Sequence, residues 1–534
     1  MTMAPAPTTS RRAPAQVRKA RRESQAKIQK QTDQIMTGGA AAAQAAAQAA
    51  AQAALITHGY LTAAEQHAWM TDLAARLKTI QEHPEQNLGH LEEQIARAAL
   101  EPFRLLAERA AQAKANATPC HCLQCQTPLR RQKHLARTID SRFGPLRLFR
   151  GYGWCEKCEE WQFPADHALG LGRKAPASPY LQEICALLVA KMPPEQAVLV
   201  AERFGLDLSR CTLHREAHRQ GLKAEALRAQ TTAQLDDWDE LKDLARRSDG
   251  PPLQPFTMVI EIDAWNIRER DHWGETEAFR EEKKKLERWH WVYMGTVFHL
   301  DHRGPTAGGR ALISQRGFVA TRLGVDALTR QLHAEALARG LAQAQDVLVI
   351  ADGGVWIWNV AKDRFRHARQ RLDLYHADEH LWAIAHDRFG KGTPEARAWV
   401  APLLQQIRDD QTPKVIATLA ELKPSLQAAE QEALQKEIQY FQTNADRMKY
   451  KDIQEARQAV KQGGATPQQI QLANEPLGSG AIESTCRQYQ CRFKRTGQFW
   501  TLPGDEALMC LETLWRNGRW HHLYPHATPA NALN

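Results

Sequence analysis

Long apolar runs are missing from this 534-residue chain. No stretch approaches the ~18 consecutive apolar residues of a membrane span, and the Ala/Pro/Arg-rich start has no apolar signal core. The expectation is therefore a cytoplasmic protein without a membrane partner. Cysteine is sparse at ten residues, which argues against a disulfide-built secreted scaffold. A strong charge of one sign is also missing. Lys and Arg number 70 against 61 Asp and Glu, a net charge of +9, which permits a polyanionic partner without requiring one. Hydrophobic residues at 43% and charged residues at 25% are ordinary for a globular chain. At roughly 150 residues per domain, three or four domains are expected.

The positive excess is concentrated. Residues 1–35 hold Arg11, Arg12, Arg18, Lys19, Arg21, Arg22, Lys27 and Lys30 against Glu23 and Asp33, so the tail carries +6 of the +9. Such a tail reads as a solvated, disordered terminus, and the same charges can neutralise phosphates. Residues 38–53 repeat AAAQ, which favours helix but offers little to pack. Leu61, Trp69, Leu73 and Leu77, then Leu91, Ile95, Leu100 and Leu105, recur at helical spacing. They predict two or three helices forming an interaction arm or a cap.

Cys122-Leu-Gln-Cys125 and Cys155-Glu-Lys-Cys158 are two knuckles with two-residue gaps. That gap lets both thiolates of a knuckle face one metal, and two knuckles complete the four-thiolate set that zinc favours. Between them, Leu135–Ile139 and Leu146–Tyr152 flank the turn Phe143-Gly144-Pro145. The prediction is a zinc ribbon with a structural Zn²⁺, with Cys120 and His121 as competitors that break the paired symmetry. Arg130, Arg131, Lys133, Arg137, Arg142, Arg147 and Arg150 make the ribbon basic, and Arg131 and Lys133 are its candidate DNA contacts.

Residues 178–222 predict three short helices. Gly205 lies in the link before the third helix, which Ser209 or Thr212 can cap. Arg210, His214, Arg215, His218 and Arg219 stand on the polar side of that helix. The pattern fits a helix-turn-helix, with Arg210, Arg215 and Arg219 as DNA contacts.

A strand-rich block follows. Thr257–Asp263 and Asp346–Asp352 are apolar runs that each end in a carboxylate. Trp289–Leu300 predicts a long strand, Ala311–Thr321 a third and Arg371–Tyr375 a fifth, with helices at Val325–Arg339, Trp356–Arg364 and His376–Phe389. The acidic-basic stretch Arg268–Arg288 predicts an exposed loop or helix between strands. Three strands, helix, strand, helix, strand, helix is the order of an RNase H-like fold. In that fold Asp263 and Asp352 would meet at one sheet edge, and Glu483, on a helix after the turn Gly478-Ser479-Gly480, would supply a third oxygen. Hard oxygen ligands suit Mg²⁺.

Together these motifs resemble the DDE-type insertion-sequence transposases of the Kra-type group over about residues 117–525. The resemblance rests on the four cysteines, the segment from Phe163-Pro164 to Leu169-Gly170-Leu171, Ile262-Asp263, Ala351 to Trp358, and Gly478–Glu483. It also includes Arg487, Lys494-Arg495-Thr496-Gly497 and Trp500. Asp373-Leu-Tyr-His376 is similar to the Asp-x-x-His element that supports the site in related transposases. The resemblance implies that Asp263, Asp352 and Glu483 bind two Mg²⁺ ions, with Mn²⁺ able to substitute. Two ions about 3.5–4 Å apart can activate a nucleophile and stabilise the leaving oxygen of a phosphodiester. It also implies double-stranded DNA as partner, at transposon ends and at the target, and a homodimer or higher assembly on DNA in the nucleoid.

The expected fold class is multidomain α/β. Residues 1–37 are the basic tail, 38–116 the helical arm, 117–175 the ribbon and 176–250 the helix-turn-helix-like region with a linker. Residues 251–394 and 475–525 form an RNase H-like core around a helical insertion at 395–474, and 526–534 are a tail. Arg487, Arg492, Lys494 and Arg495 are the expected DNA contacts beside Glu483, with Trp500 as a base-stacking residue. Trp265, Trp356 and Trp358 read as core. Two alternatives stay open, a non-catalytic zinc-ribbon/helix-turn-helix DNA-binding protein derived from a transposase and a stand-alone RNase H-like nuclease.

Overall fold

The computed structural model describes residues 62–82, 87–246, 255–270, 287–306, 311–423 and 427–526. The basic tail, the AAAQ repeat and most of the stretch between Arg268 and Arg288 lie outside the described residues. The chain forms two compact units, one up to Leu181 and one from Gln182 onward. The architecture is mixed α/β. Among the described residues, no helix is long and apolar enough to cross a membrane.

In the first unit, α1 (Ala63–Gln81) starts at a capping box. Thr62 accepts from the Glu65 amide, and Glu65 reaches back to the Thr62 amide. It packs on α2 (Leu88–Ala117), where the Trp69 indole donates to the Pro102 carbonyl at 2.9 Å. The strands β1 (Arg130–Ser141), β2 (Gly144–Cys155) and β3 (Glu160–Gln162) form an antiparallel sheet in that order. Helix α2 covers the open edge of β2. Glu108 accepts from the Arg147 amide at 2.7 Å, and Gln112 pairs with both the amide and the carbonyl of Phe149, at 2.8 and 2.6 Å. Two side chains one helical turn apart thus satisfy polar groups two strand residues apart and blunt an edge that invites aggregation. A five-residue helix, α3 (Pro164–Ala168), carries Asp166. Arg137 and Arg150 both pair with Asp166, at 2.8 and 3.0 Å. Two of the ribbon's seven cations are therefore internal struts.

Three helices precede the larger sheet: α4 (Pro179–Lys191), α5 (Pro194–Arg203) and α6 (Arg210–Ala233). Ser209 caps α6, accepting from the Thr212 amide at 3.1 Å. The third helix does not end near 222 as expected but continues to Ala233. Gly221 is not a helix end. A Cβ there would lie 2.6 Å from the Ala507 Cβ, so glycine permits close packing on a later helix, α17 (Leu502–Arg516). A short amphipathic helix, α7 (Trp238–Arg246), follows.

The second sheet joins β4 (Thr257–Arg270), β5 (Glu287–His299), β8 (Gly317–Thr321), β9 (Asp346–Ala351) and β10 (Arg369–Leu372), in the order β10-β9-β4-β5-β8. Pairing is parallel between β10 and β9 and between β9 and β4, and antiparallel on both sides of β5. The expected third strand is split. Ala311–Ile313 forms β7 and pairs with β6 (Arg303–Pro305) in a separate ribbon, and only Gly317–Thr321 joins the sheet. The fifth strand stops at Leu372, because Asp373 already caps α10 (Leu374–Phe389).

Strand β4 is buried on both faces, as a central strand should be. Its even positions Met258, Ile260 and Ile262 share one core with Leu328 and Leu332 of α8 (Val325–Ala338) and Ile357 of α9 (Val355–Arg364). On the opposite face Val259 clusters with Phe298, Leu348 and Ile350, against which Ala481 of α16 (Gly480–Phe493) packs. Residues 394–474 form α11 (Pro394–Arg408), α12 (Thr412–Leu422), α13 (Ala428–Asn444), α14 (Lys451–Gln462) and α15 (Pro467–Asn474). Val400, Leu403, Val415, Leu434 and Phe441 of these helices belong to the same buried cluster as Ile260 and Ile262. The helical segment therefore extends the core.

Candidate metal centres and nucleic-acid interface

The sulfurs of Cys122, Cys125, Cys155 and Cys158 all lie within 4.8 Å of one another. The Cys122–Cys158 and Cys125–Cys155 separations are 3.7 and 3.5 Å. Tetrahedral ligands about 2.3 Å from a zinc ion stand about 3.8 Å apart, so the quartet is compatible with a zinc site. Each knuckle turns its second amide onto its first sulfur, Cys125 N to Cys122 Sγ at 3.5 Å and Cys158 N to Cys155 Sγ at 3.4 Å. Gln126 and Glu159, the residues just after each knuckle, both hold positive φ, 58° and 53°, which marks the two turns as copies of one geometry. The Gln162 amide donates to Cys122 Sγ at 3.3 Å. Hydrogen bonds from Thr127 bring the Cys125 thiol down to about 6, and the crowded neighbouring sulfurs push Cys158 up to about 12. A cation shared by four thiolates resolves that conflict. Cys120 stands outside the quartet.

The second site lies midway along β4 and just past the C-terminal end of β9; the expected strand end at Asp263 is not observed, because β4 stays paired with β5 for seven more residues, to Arg270. The parallel register pairs Val259 with Leu348, Ile260 with Val349 and Glu261 with Ile350. The ladder ends there; Asp263 lies two residues further along β4, and Asp352 directly follows Ala351, the last residue of β9. Asp263 shares its strand face with Val259. This is the face that α16 covers, and Glu483 stands in the first turn of α16. Burial raises the Asp263 carboxyl, and Asp352 raises it further. Glu483 is raised first by burial, then by Asp373, with Asp263 adding to it. Two carboxyls raised by their acidic neighbours mark a spot where a bound cation would be favoured.

The closest group of possible ligand atoms here is Asp373, His376 and Glu483, all within 4.8 Å, and Asp263 and Asp352 stand outside that group. Asp373 has little left to offer a metal. It is fully buried. Its Oδ1 accepts from the Tyr375 amide at 2.7 Å, and its Oδ2 accepts from the Ser479 amide at 2.6 Å and the Ser479 hydroxyl at 2.5 Å. Asp373 thus ties the start of α10 to the turn that launches α16. That turn needs Gly478, where a Cβ would lie 2.5 Å from Tyr375 and 2.7 Å from Asp373. His376 Nδ1 is 3.4 Å from Asp373 Oδ2, and this neighbour raises the imidazole to about 9. His376 is therefore a cation at neutral pH.

Three residues missed in the sequence hold the acids in place. Glu261 is 1% exposed, and its carboxylate accepts from the Ile482 amide at 2.8 Å and from the Ala481 amide, at the N-terminus of α16. Burial pushes it up to about 8. The signal was a lone Glu inside the apolar run Met258–Ile262. From α13, the Tyr440 hydroxyl donates to the Asp352 carbonyl at 3.0 Å, and Tyr450, just before α14, donates to the Leu372 carbonyl, just before Asp373, at 2.8 Å. Gly353 makes room for the first brace. Its φ is +102°, and a Cβ would lie 2.8 Å from Tyr440 and 2.9 Å from Leu372. Gly353→Ala is expected to cost about 2–4 kcal/mol, from positive φ plus overpacking. The urea midpoint measures this, and an unchanged midpoint would show that the loop relaxes freely.

The expected DNA contacts divide. Arg131, Lys133, Arg210, Arg215, Arg487, Lys494 and Arg495 are exposed. Arg210 and Arg495, with His214 and His218 of α6, line one cleft of about 880 Å³. Arg210 also approaches Glu195 at 3.2 Å, and Arg487 comes within 3.9 Å of Glu483. Arg219 is half-buried and paired with the buried Glu216. Arg492 corrects the expectation. It is 6% exposed and donates to the Val189 carbonyl at 3.1 and 2.7 Å. Burial brings it down to about 10; it braces α4 at the base of the same cleft rather than standing as an exposed cation. Trp500 is also committed. Its indole donates to the Phe493 carbonyl at 2.8 Å and its ring packs on Phe493 at 5.2 Å. Trp265 and Trp358 are core, and Trp356 is half-buried. No protein-family model matches the chain, and no curated protein matches it.

Proposed function

We propose that the chain is a DDE-type transposase that cleaves and joins DNA ends in a metal-dependent reaction, with an RNase H-like core interrupted by a helical insertion. One observation carries the reading. Asp263 on β4 and Asp352, just past the end of the adjacent parallel strand β9, are close enough for Asp352 to raise Asp263, and Glu483, on the helix that packs over Val259, is raised in turn by Asp263. The sheet order supports it as well. Three strands of which only the middle is reversed, then two more parallel strands on the far side of the first, follow the element order that the family resemblance implies. The double-stranded DNA partner, the assembly on DNA and the nucleoid location belong to the same proposal.

Asp263, Asp352 and Glu483 are hard oxygen donors whose mutual repulsion suits Mg²⁺, so they would hold the two ions. When bound, these ions activate the attacking oxygen and stabilise the leaving one. The remaining work belongs to this chain. Asp373 fixes the helix that bears Glu483, and the protonated His376 offsets negative charge beside it. The cysteine quartet would take a structural Zn²⁺, since four protein ligands leave no open position. Arg131 and Lys133 on the ribbon, and Arg210 and Arg215 at the start of α6, supply phosphate contacts.

The test is a strand-cleavage assay on duplexes carrying the terminal sequences that flank the gene, with Mg²⁺ or EDTA. Metal-dependent nicks at the ends, followed by joined products, are expected. End binding without cleavage would favour the non-catalytic DNA-binding alternative. Cutting of all duplexes alike would favour the stand-alone nuclease.

A further inference from the structure

Past the body of the sheet, β4 and β5 continue together as a two-stranded ribbon. Strand β8 pairs with β5 only from Tyr293 onward, whereas β4 follows β5 out to Glu287. On one face of this ribbon stand Trp289, Trp291 and Tyr293, at alternate positions of β5, opposite Arg268, Asn266 and Ala264. Trp289 and Trp291 are 56% and 51% exposed, an unusual state for two neighbouring tryptophans of one strand. Cations accompany them. Arg268 lies over the Trp289 ring at 5.4 Å, and Lys494 lies over it at 5.3 Å. Phe499 adjoins, with Arg268 and Arg270 over its ring at 5.1 and 4.3 Å.

The row runs on the sheet face opposite Asp263 and ends at the Asp352 loop. Tyr293 pairs with Ala264, one residue beyond Asp263. Its ring meets Trp356 edge-on at 5.3 Å, and Trp356 lies against Gly354 in the Asp352 loop, its indole nitrogen 3.1 Å from where a Gly354 Cβ would stand. Alternate positions of a strand are about 6.7 Å apart, close to twice the ~3.4 Å stacking repeat of nucleic-acid bases. Each gap between neighbouring rings therefore admits one base. Aromatic faces in a row beside cations are how unpaired nucleic acid is held without regard to sequence.

We propose that Trp289, Trp291 and Tyr293 form a track for single-stranded DNA, which stacks unpaired bases along β5 and ends against Trp356 at the Asp352 loop. The inference rests on the DNA-processing reading for the source of the strand. Its test needs neither metal nor cleavage, so the two can fail separately.

The experiment titrates the full-length protein in EDTA with a 15-nucleotide oligothymidylate, reading tryptophan quenching and anisotropy. A 15-nucleotide abasic strand serves as a probe of equal charge. Oligothymidylate is expected to bind at least tenfold more tightly than the abasic strand. Trp289→Ala with Trp291→Ala should weaken oligothymidylate binding about tenfold or more. Trp289→Phe with Trp291→Phe, which keeps aromatic faces, should retain most of it and shows that any loss comes from the missing rings. Equal affinity for the two strands, or unchanged binding by the double alanine variant, would overturn the track. So would oligouridylate binding more tightly than oligothymidylate. Cleavage lost with the track intact would sink the transposase reading alone.

Discussion

Asp352→Asn is expected to lower Mg²⁺-dependent strand cleavage by about 10³-fold or more, because a metal pair supplies several kcal/mol to the transition state and this change removes one of its anionic ligands. The fold should survive the change. Asp352 Oδ1 accepts from the Gly354 amide at 2.9 Å, and an asparagine oxygen accepts the same bond. The stability of the metal-free protein is informative in its own right. Asp352 raises Asp263 by charge repulsion, so removing one negative charge relieves the other. Metal-free Asp352→Asn should therefore melt no lower than the parent chain. A carboxylate whose loss stabilises the fold and abolishes cleavage is held for chemistry. Cleavage on end duplexes and thermal melts in EDTA measure the two effects. Full cleavage by Asp352→Asn would remove this residue from the proposed triad, and a large drop in melting temperature would make it structural.

How much of this could be read in advance depended on how local each signal was. The cysteine quartet is written as two short knuckles, each folding on its own amide-to-sulfur bonds, and its spacing carries the geometry. The strand that stops just before Asp352 was legible because an apolar run that ends at a carboxylate is a local pattern, but the same pattern misled at Asp263, where β4 stays paired with β5 out to Arg270. The helix end placed near Gly221 was wrong because glycine there answers Ala507, 286 residues away. Arg492 looked like a surface cation in a basic segment. It lies seven residues after Thr485 and three after Tyr489, on the stripe that α16 buries. The period was visible, but its partner Val189 was not. Glu261 and Tyr440 were illegible for the same reason. Each acts through a backbone group of a distant segment, the amides of Ala481 and Ile482 or the carbonyl of Asp352. Trp500, expected to stack on bases, is instead fastened to Phe493, and the exposed tryptophans lie on the long strand that starts at Glu287.

Cys155→Ser is expected to have the largest effect on folding. Cys155 is fully buried, and its sulfur receives the Cys158 amide at 3.4 Å and lies 3.5 Å from the Cys125 sulfur. Serine keeps the shape of the site but offers a hydroxyl with little tendency to become an anionic ligand. Structural zinc contributes about 10–16 kcal/mol in small domains at neutral pH, comparable with the ~5–15 kcal/mol that holds a whole domain together. The apolar cluster around the quartet is small, Leu129 with the cysteines themselves, and cannot make up such a loss. The variant should therefore release its zinc, and β1 to β3 should lose their order. Zinc content should fall from one ion per chain to none, and brief proteolysis should cut within residues 120–162. Acid should act on the parent protein in the same direction, because protonation of the thiolates competes with the metal. Cys120→Ser is the control, since Cys120 stands outside the quartet and its loss should leave zinc in place. Retention of one zinc by Cys155→Ser with unchanged protease resistance would mean that the quartet does not organise this unit. Edge coverage by Glu108 and Gln112 and the struts from Asp166 would then have to hold it.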